Sequence, residues 1–320
     1  GGPVTKSLFR VSGGPISVPS FIADLGHEIG HFVNAQTEAF ASGSTVDFPL
    51  NAPEGGKEPL LALMEGLDMG SDHDVFFEGT WQIPGLYLHD WPDRYIHTNF
   101  DLAANIDPTK LKRAAFIGAV AAWFLANMDE DNVPAVLGML QRNALARASE
   151  LVERRGHLDP VDQALVTDIH FAVERRKVHS VEPFATLDGT AHDSAMGFIG
   201  QLQDVVNVAQ PANIGGVNRN DTVYERNPDI QGPMGAFGYS FLEDKLGEDA
   251  LGGLNLRRHE GRYGSAGQFV YETLNFVDGT RTVSDIRDWL TTELGPVPLV
   301  YVEEYRAALA SIDVIREKTD

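Results

Sequence analysis

His27-Glu28-Ile29-Gly30-His31 spells H-E-x-x-H, the pattern in which two histidines one helical turn apart hold zinc beside a glutamate base. Downstream stand Ser71-Asp72-His73 and then His97-Thr98-Asn99-Phe100-Asp101. An imidazole on a loop leaving a buried strand can be held rigidly as a metal ligand, and a nearby carboxylate can fix its tautomer. Asp101 is the natural carboxylate for His97. The first motif meets three obstacles. Ile22, Leu25, Ile29 and Phe32 form the apolar stripe of its helix, so His27 and His31 fall roughly opposite, towards water. Asn34 and Thr37 stand where an extended motif would carry its glycine and third histidine, and Glu54, Glu58 and Glu65 lie in or near a Pro/Gly-rich loop. Finally, Gly26 and Gly30 weaken a helix that must position ligands. The histidines therefore read as a solvated helix face.

The elements that position these residues follow from periodicity and punctuation. Lys6 to Val11 reads as a short strand ended by Gly13-Gly14-Pro15, and a helix runs from about Pro19 to Phe40 until Ser42-Gly43-Ser44. Asn51 to Lys57 is a loop, Val75 to Glu78 opens a short helix, and Gly85 to His89 is a buried strand. Asp107 caps a long helix with Pro108 at its first position, and Leu111, Ala114, Ile117, Ala121 and Leu125 share one face. Strands alternating with helices predict an α/β sandwich for residues 1–130. Residues 131–245 read as helical and then loop-rich, the Asn/Gly/Pro-rich stretch being Ala209 to Gly238. Residues 246–320 form a small unit with a strand at Phe269–Phe276, a turn at Asp278-Gly279, a helix from Ser284 to Leu294 and a last helix after Gly295-Pro296. That pattern resembles a winged-helix α+β module. Acids outnumber bases in it, which fits packing or interaction and not a DNA reader.

Four motifs stand in register: Ser71-Asp72-His73, Ile83-Pro84-Gly85, His97-Thr98-Asn99-Phe100-Asp101 and Asn105-Ile106-Asp107-Pro108. In order and spacing they resemble the C-terminal part of the co-catalytic dizinc aminopeptidase family, which includes bacterial leucyl aminopeptidases, glutamate carboxypeptidases and glutaminyl cyclases. The likeness spans about residues 4 to 128. It implies the later part of a three-layer αβα zinc-exopeptidase domain, with His97 as a zinc ligand and Asp72 and His73 supporting the site. Hydrolysis of peptide or N-terminal amide bonds by a metal-activated water is the implied activity, with two zinc ions as cofactors and a peptide as substrate. The family's H-x-D loop, Glu-Glu pair and N-x-D strand have no counterpart in this chain, and Gly1-Gly2-Pro3-Val4-Thr5-Lys6 resembles the stretch just after that strand. The implied partner is therefore an N-terminal half bearing the other ligands. The family's oxyanion tyrosine also has no counterpart among Leu67 to Gly70, where Tyr87 or Tyr95 could substitute. The alternatives are a complete zincin-type metalloprotease using His27, Glu28 and His31, and a non-catalytic interaction protein.

Composition narrows the rest. The net charge of −21 repels a phosphate backbone, so nucleic acid is a poor partner. No cysteine is present, which removes thiol catalysis, disulfides and Cys-ligated zinc together. No apolar run reaches membrane-span length. The chain opens without Met or a signal peptide and reads as a cut or processed product, with cytoplasmic and secreted locations both compatible.

Overall fold

The computed structural model describes residues 7–207, 219–232 and 240–319. Most of the expected loop from Ala209 to Gly238 lies outside them. Helices dominate, with a small mixed sheet.

Strand β1 (Leu8–Gly13) lies between β2 (Leu63–Leu67) and β3 (Tyr87–Trp91). It pairs parallel to β2, with Arg10 opposite Leu63, and antiparallel to β3, with Leu8 opposite Trp91 and Val11 opposite Leu88. Alternation sorts the side chains onto two faces. Phe9 and Val11 point into the core, while Leu8, Arg10 and Ser12 share the other face with Leu63, His89 and Trp91.

Helix α1 (Phe21–Ala41) covers the core face of this sheet. Ser20 caps it by accepting the Ile22 N–H. Gly26 and Gly30 have a packing role there: a Cβ on Gly26 would lie 2.5 Å from Leu86 Cδ2, and one on Gly30 2.6 Å from Met64 Cε. The glycines let the helix approach the sheet more closely than side chains would allow. After the short α2 (His73–Phe77), α3 (Pro108–Asn127) begins as the sequence predicts. Asp107 accepts the Thr109 N–H at 2.8 Å, and the same carboxylate accepts Gly56 N–H, fastening the 51–57 loop.

Helices α4 (Val133–Arg155), α5 (Pro160–His179) and α6 (Gly189–Val206) pack on one another, and α4 also packs on α1. One apolar core runs from Phe9 through Ile117 and Phe171 to Ile199. After the short strand β4 (Tyr224–Arg226) come α7 (Phe241–Leu246) and α8 (Glu248–Gly252). Next are α9 (Ala266–Asn275), α10 (Val283–Leu294), α11 (Leu299–Ser311) and β5 (Ile315–Glu317), which pairs antiparallel with β4. They enclose a second core around Leu256, Phe269, Leu290 and Leu309.

The segment expected as a strand, Phe269–Phe276, is helical. A run of aromatic and β-branched residues does not separate a buried strand from a buried helix. Here Ser265 and Gln268 close a capping box, and Phe269 to Asn275 are buried all round. The next helix starts at Val283, capped by Thr282 where Ser284 was expected. No described helix is long and apolar enough to cross a membrane.

Candidate functional site

His97 sits on the loop that leaves β3. It is the third residue of a turn closed by Thr98 N–H to the Tyr95 carbonyl at 3.0 Å, and it holds a φ of 62°. The loop fastens itself: Asp93 accepts Tyr95 N–H at 2.8 Å, Thr98 Oγ donates to the Tyr95 carbonyl at 2.7 Å, and Asn105 Nδ2 donates to the Phe100 carbonyl at 2.6 Å. A left-handed non-glycine residue costs energy and marks a constrained position. The imidazole is exposed and makes no hydrogen bond, ion pair or ring contact with any described residue. Asp101 is exposed on the same loop, and the two side chains are not hydrogen-bonded.

His73 and Asp72 open α2 instead of joining His97. Asp72 is exposed at the helix start and its side chain caps nothing. His73 Nε2 lies 2.7 Å from the Asp68 carbonyl and 3.2 Å from Asp74 Oδ1. Its ring stacks on Tyr87 at 3.8 Å, and Tyr87 stacks on His89 at 4.0 Å. His89 Nε2 meets Asp68 Oδ2 at 3.2 Å and Ser12 Oγ at 3.3 Å. The hydrogen bond from His89 holds the Asp68 carboxyl below its usual range, whereas burial raises that of Asp74. The stack is a polar patch on the sheet face away from α1. The sequence singled out His73 in it and passed over Asp68 and His89, which carry no motif.

Of the H-E-x-x-H histidines, His31 is exposed as expected, but His27 is not. Both line a cleft of about 1040 Å³ between the ends of β1 and β2, helices α4 and α5, and the end of α10. His31 is exposed, while His27 Nε2 lies 3.0 Å from the Glu65 carbonyl, and burial lowers its pKa. Phe32, expected in the apolar stripe, is 39% exposed and packs against Phe48 and Phe116. The buried stripe is instead Ile22, Leu25, Ile29 and Val33. A helical wheel shows one apolar face, and cannot show that distant helices will wall the polar one.

A buried charge network stands beside His27. Asp24 accepts from Arg147 and, at 2.9 Å, from Lys177, and Arg147 grips Glu174 with two bonds of 2.6 and 2.7 Å. Burial works to raise both carboxyls, but the cations win, and Asp24 and Glu174 are held below their usual range. His170 in the same cleft is lowered to about 4 by burial, so its ring is neutral. Lys177, its side chain 14% exposed, is thus a half-buried structural cation.

Among the described residues, no group of three or more His, Asp or Glu side chains is placed to hold a metal. His97 offers one donor where zinc centres take at least three from protein, so these residues alone do not fit a two-zinc centre. No protein-family model, no curated protein and no solved structure matches the chain.

Proposed function

We propose that this chain is the ligand-bearing C-terminal part of a dizinc aminopeptidase-type hydrolase. His97 would be one metal ligand, and a further polypeptide segment would supply the others. One observation carries the reading: among the described residues, the face of the sheet away from α1 has an exposed apolar end, at the strand ends from which the His97 loop departs. Leu8 and Trp91, cross-strand partners there, are 45% and 50% exposed, and Leu63 on the same face is 40% exposed. Exposed apolar side chains grouped together can mark an interaction site. A three-layer αβα domain would cover this face and bring its own ligands towards His97. The exposed imidazole, fixed by a self-fastened turn and without a partner among the described residues, suits that role because a ligand must be available to the metal. On this reading the terminal helices with β4 and β5 are a winged-helix-like module that packs against the catalytic layer.

One histidine alone does not hold zinc, which takes at least three protein ligands. In the assembled site the two ions would activate water and polarise the scissile carbonyl. This chain's share is to hold the His97 nitrogen in place.

The test is hydrolysis of amino-acid p-nitroanilides by the chain alone and by the chain joined to a segment bearing H-x-D, Glu-Glu and N-x-D elements, with zinc present. Activity only in the joined protein, lost in His97→Ala, supports the reading. Full activity of the chain alone would overturn it, and activity that depends on His31 would favour the zincin alternative. Failure of every combination would favour an interaction protein.

A further inference from the structure

Two carboxyls from the C-terminal helices meet the turn between β1 and α1. Glu272 of α9 is 0% exposed, and three donors converge on it. Ser17 Oγ donates to Oε1 at 2.7 Å, Asn275 Nδ2 to the same oxygen at 2.8 Å, and Ser17 N–H to Oε2 at 3.3 Å. Glu293, in the last turn of α10, accepts Ile16 N–H on Oε1 at 3.0 Å. Its Oε2 is buried and receives no hydrogen bond, and the two carboxyls stand side by side on the consecutive amides of Ile16 and Ser17. Two ionised carboxylates in such a place would repel strongly. The orphaned oxygen is accounted for when Glu293 carries the proton and donates to Glu272, which its three donors already hold as an acceptor.

We propose that the proton-sharing Glu272–Glu293 pair is a latch that clasps Ile16 and Ser17, holds the C-terminal helices on the α/β layer, and releases them in alkaline solution. The latch also bears on the cleft. Gly13 to Ile16 form one of its walls and Thr291 to Pro296 another, so release parts two walls of the same space. The inference goes beyond the hydrolase reading and does not depend on it.

The groups around the pair leave the proton in place. Arg154 of α4 is the nearby cation, but its guanidinium is engaged by the Thr292 and Glu293 carbonyls at 3.0 and 2.8 Å and by the Tyr263 ring. Tyr271 beside Glu272 is neutral and donates its hydroxyl to the Asp74 carbonyl, with the acids Asp74 and Glu78 beyond it. Arg281 also senses Glu272, but it is paired with Asp278 at 2.5 Å. From the β1–α1 turn come the amides of Ile16 and Ser17 and the Ser17 hydroxyl. Burial is the largest cause lifting both carboxyls above their ordinary value of 4.5, and Glu293 stands well above it. The folded state therefore binds this proton more tightly than the unfolded chain does. The latch's contribution is complete below the ordinary carboxyl value and is lost as pH rises through the raised one.

The test is amide hydrogen exchange on the full chain, with each rate divided by the intrinsic rate at its pH. Between about pH 5.5 and about pH 9, protection of the Ile16 and Ser17 amides should fall roughly tenfold or more, the ratio that accompanies one pKa unit. Amides of α4 should hold steady as an internal control. In Glu293→Gln the amide donates to Glu272 at every pH, so protection at Ile16 and Ser17 should become flat. Asp288 in α10, raised to about 6, also titrates in this range, and it is present in both proteins. A fall that survives in Glu293→Gln belongs to Asp288 and overturns the proposal. Should that variant fail to fold, the wild-type series decides: a fall at Ile16 and Ser17 while the α4 amides hold steady supports the latch, and unchanged protection overturns it.

Discussion

The α/β layer and the C-terminal helices treat their apolar and polar groups in opposite ways. Between residues 8 and 123 large apolar side chains reach the surface repeatedly: Leu8, Leu61, Trp91, Phe100 and Trp123 are each 45% exposed or more. From residue 240 to 319 the exposed large apolar residues are Tyr263 and Val300, while Phe269, Phe276, Leu290, Leu309 and Tyr305 are almost wholly inside. The second region closes its own core. The first closes its core against α1, α3 and the middle helices, and among the described residues one end of its sheet, near the His97 loop, stays exposed. Single exposed apolar residues are normal.

Breaking the closed side should have the largest effect. Arg147→Ala leaves Asp24 and Glu174 buried without the cation that bonds both and should cost on the order of 3–5 kcal/mol, read from urea denaturation. A loss below about 1 kcal/mol would mean that water reaches the network freely. Acid probes the same group: Asp24 and Glu174 are depressed, so their contribution is present above the ordinary carboxylate range and lost as pH falls through and below it. Wild type should therefore lose stability below about pH 4, and Arg147→Ala should lose less over that range. Asp288 has the opposite sign. Raised to about 6, it contributes below the ordinary carboxylate value and loses that contribution as pH rises through about 6.

Next in size is the helix–sheet contact. Gly30→Ala puts a methyl group 2.6 Å from Met64 Cε and should cost about 1–3 kcal/mol, less if the flexible methionine swings aside. The open side should respond least. Trp91→Ser in the chain alone should change stability by no more than about 0.5 kcal/mol, since an exposed ring loses little. The same change should weaken association with a covering segment, measured by calorimetry. A large destabilisation of the isolated chain would mean that this face is already packed.

How far the sequence announced this arrangement varied with the distance between interacting residues. Local signals were sound: the Asp107 cap, Pro108, the loop at 51–57 and the glycine stop of α10 follow from chemistry within a few residues. Segment 269–276 was misread because its periodicity is uninformative when every face is buried. The Asp24–Arg147 bond joins residues 123 apart, and nothing in the local pattern of either marks the other. The cleft beside His27 was hidden for the same reason, because its far walls come from α4, α5 and α10. His97 could be named from its motif, but the uncovered sheet face that gives it a context appears only once β1, β2 and β3 are paired.

The central claim is that His97 is a ligand of a metal site completed from outside this chain, and the direct measurement is zinc per molecule. The chain alone, the chain joined to a segment bearing the missing ligand motifs, and the joined His97→Ala protein should be dialysed against the same zinc buffer and assayed by mass spectrometry. The account predicts two zinc ions in the joined protein, with a loss in His97→Ala. Equal zinc with and without the His97 imidazole would contradict it.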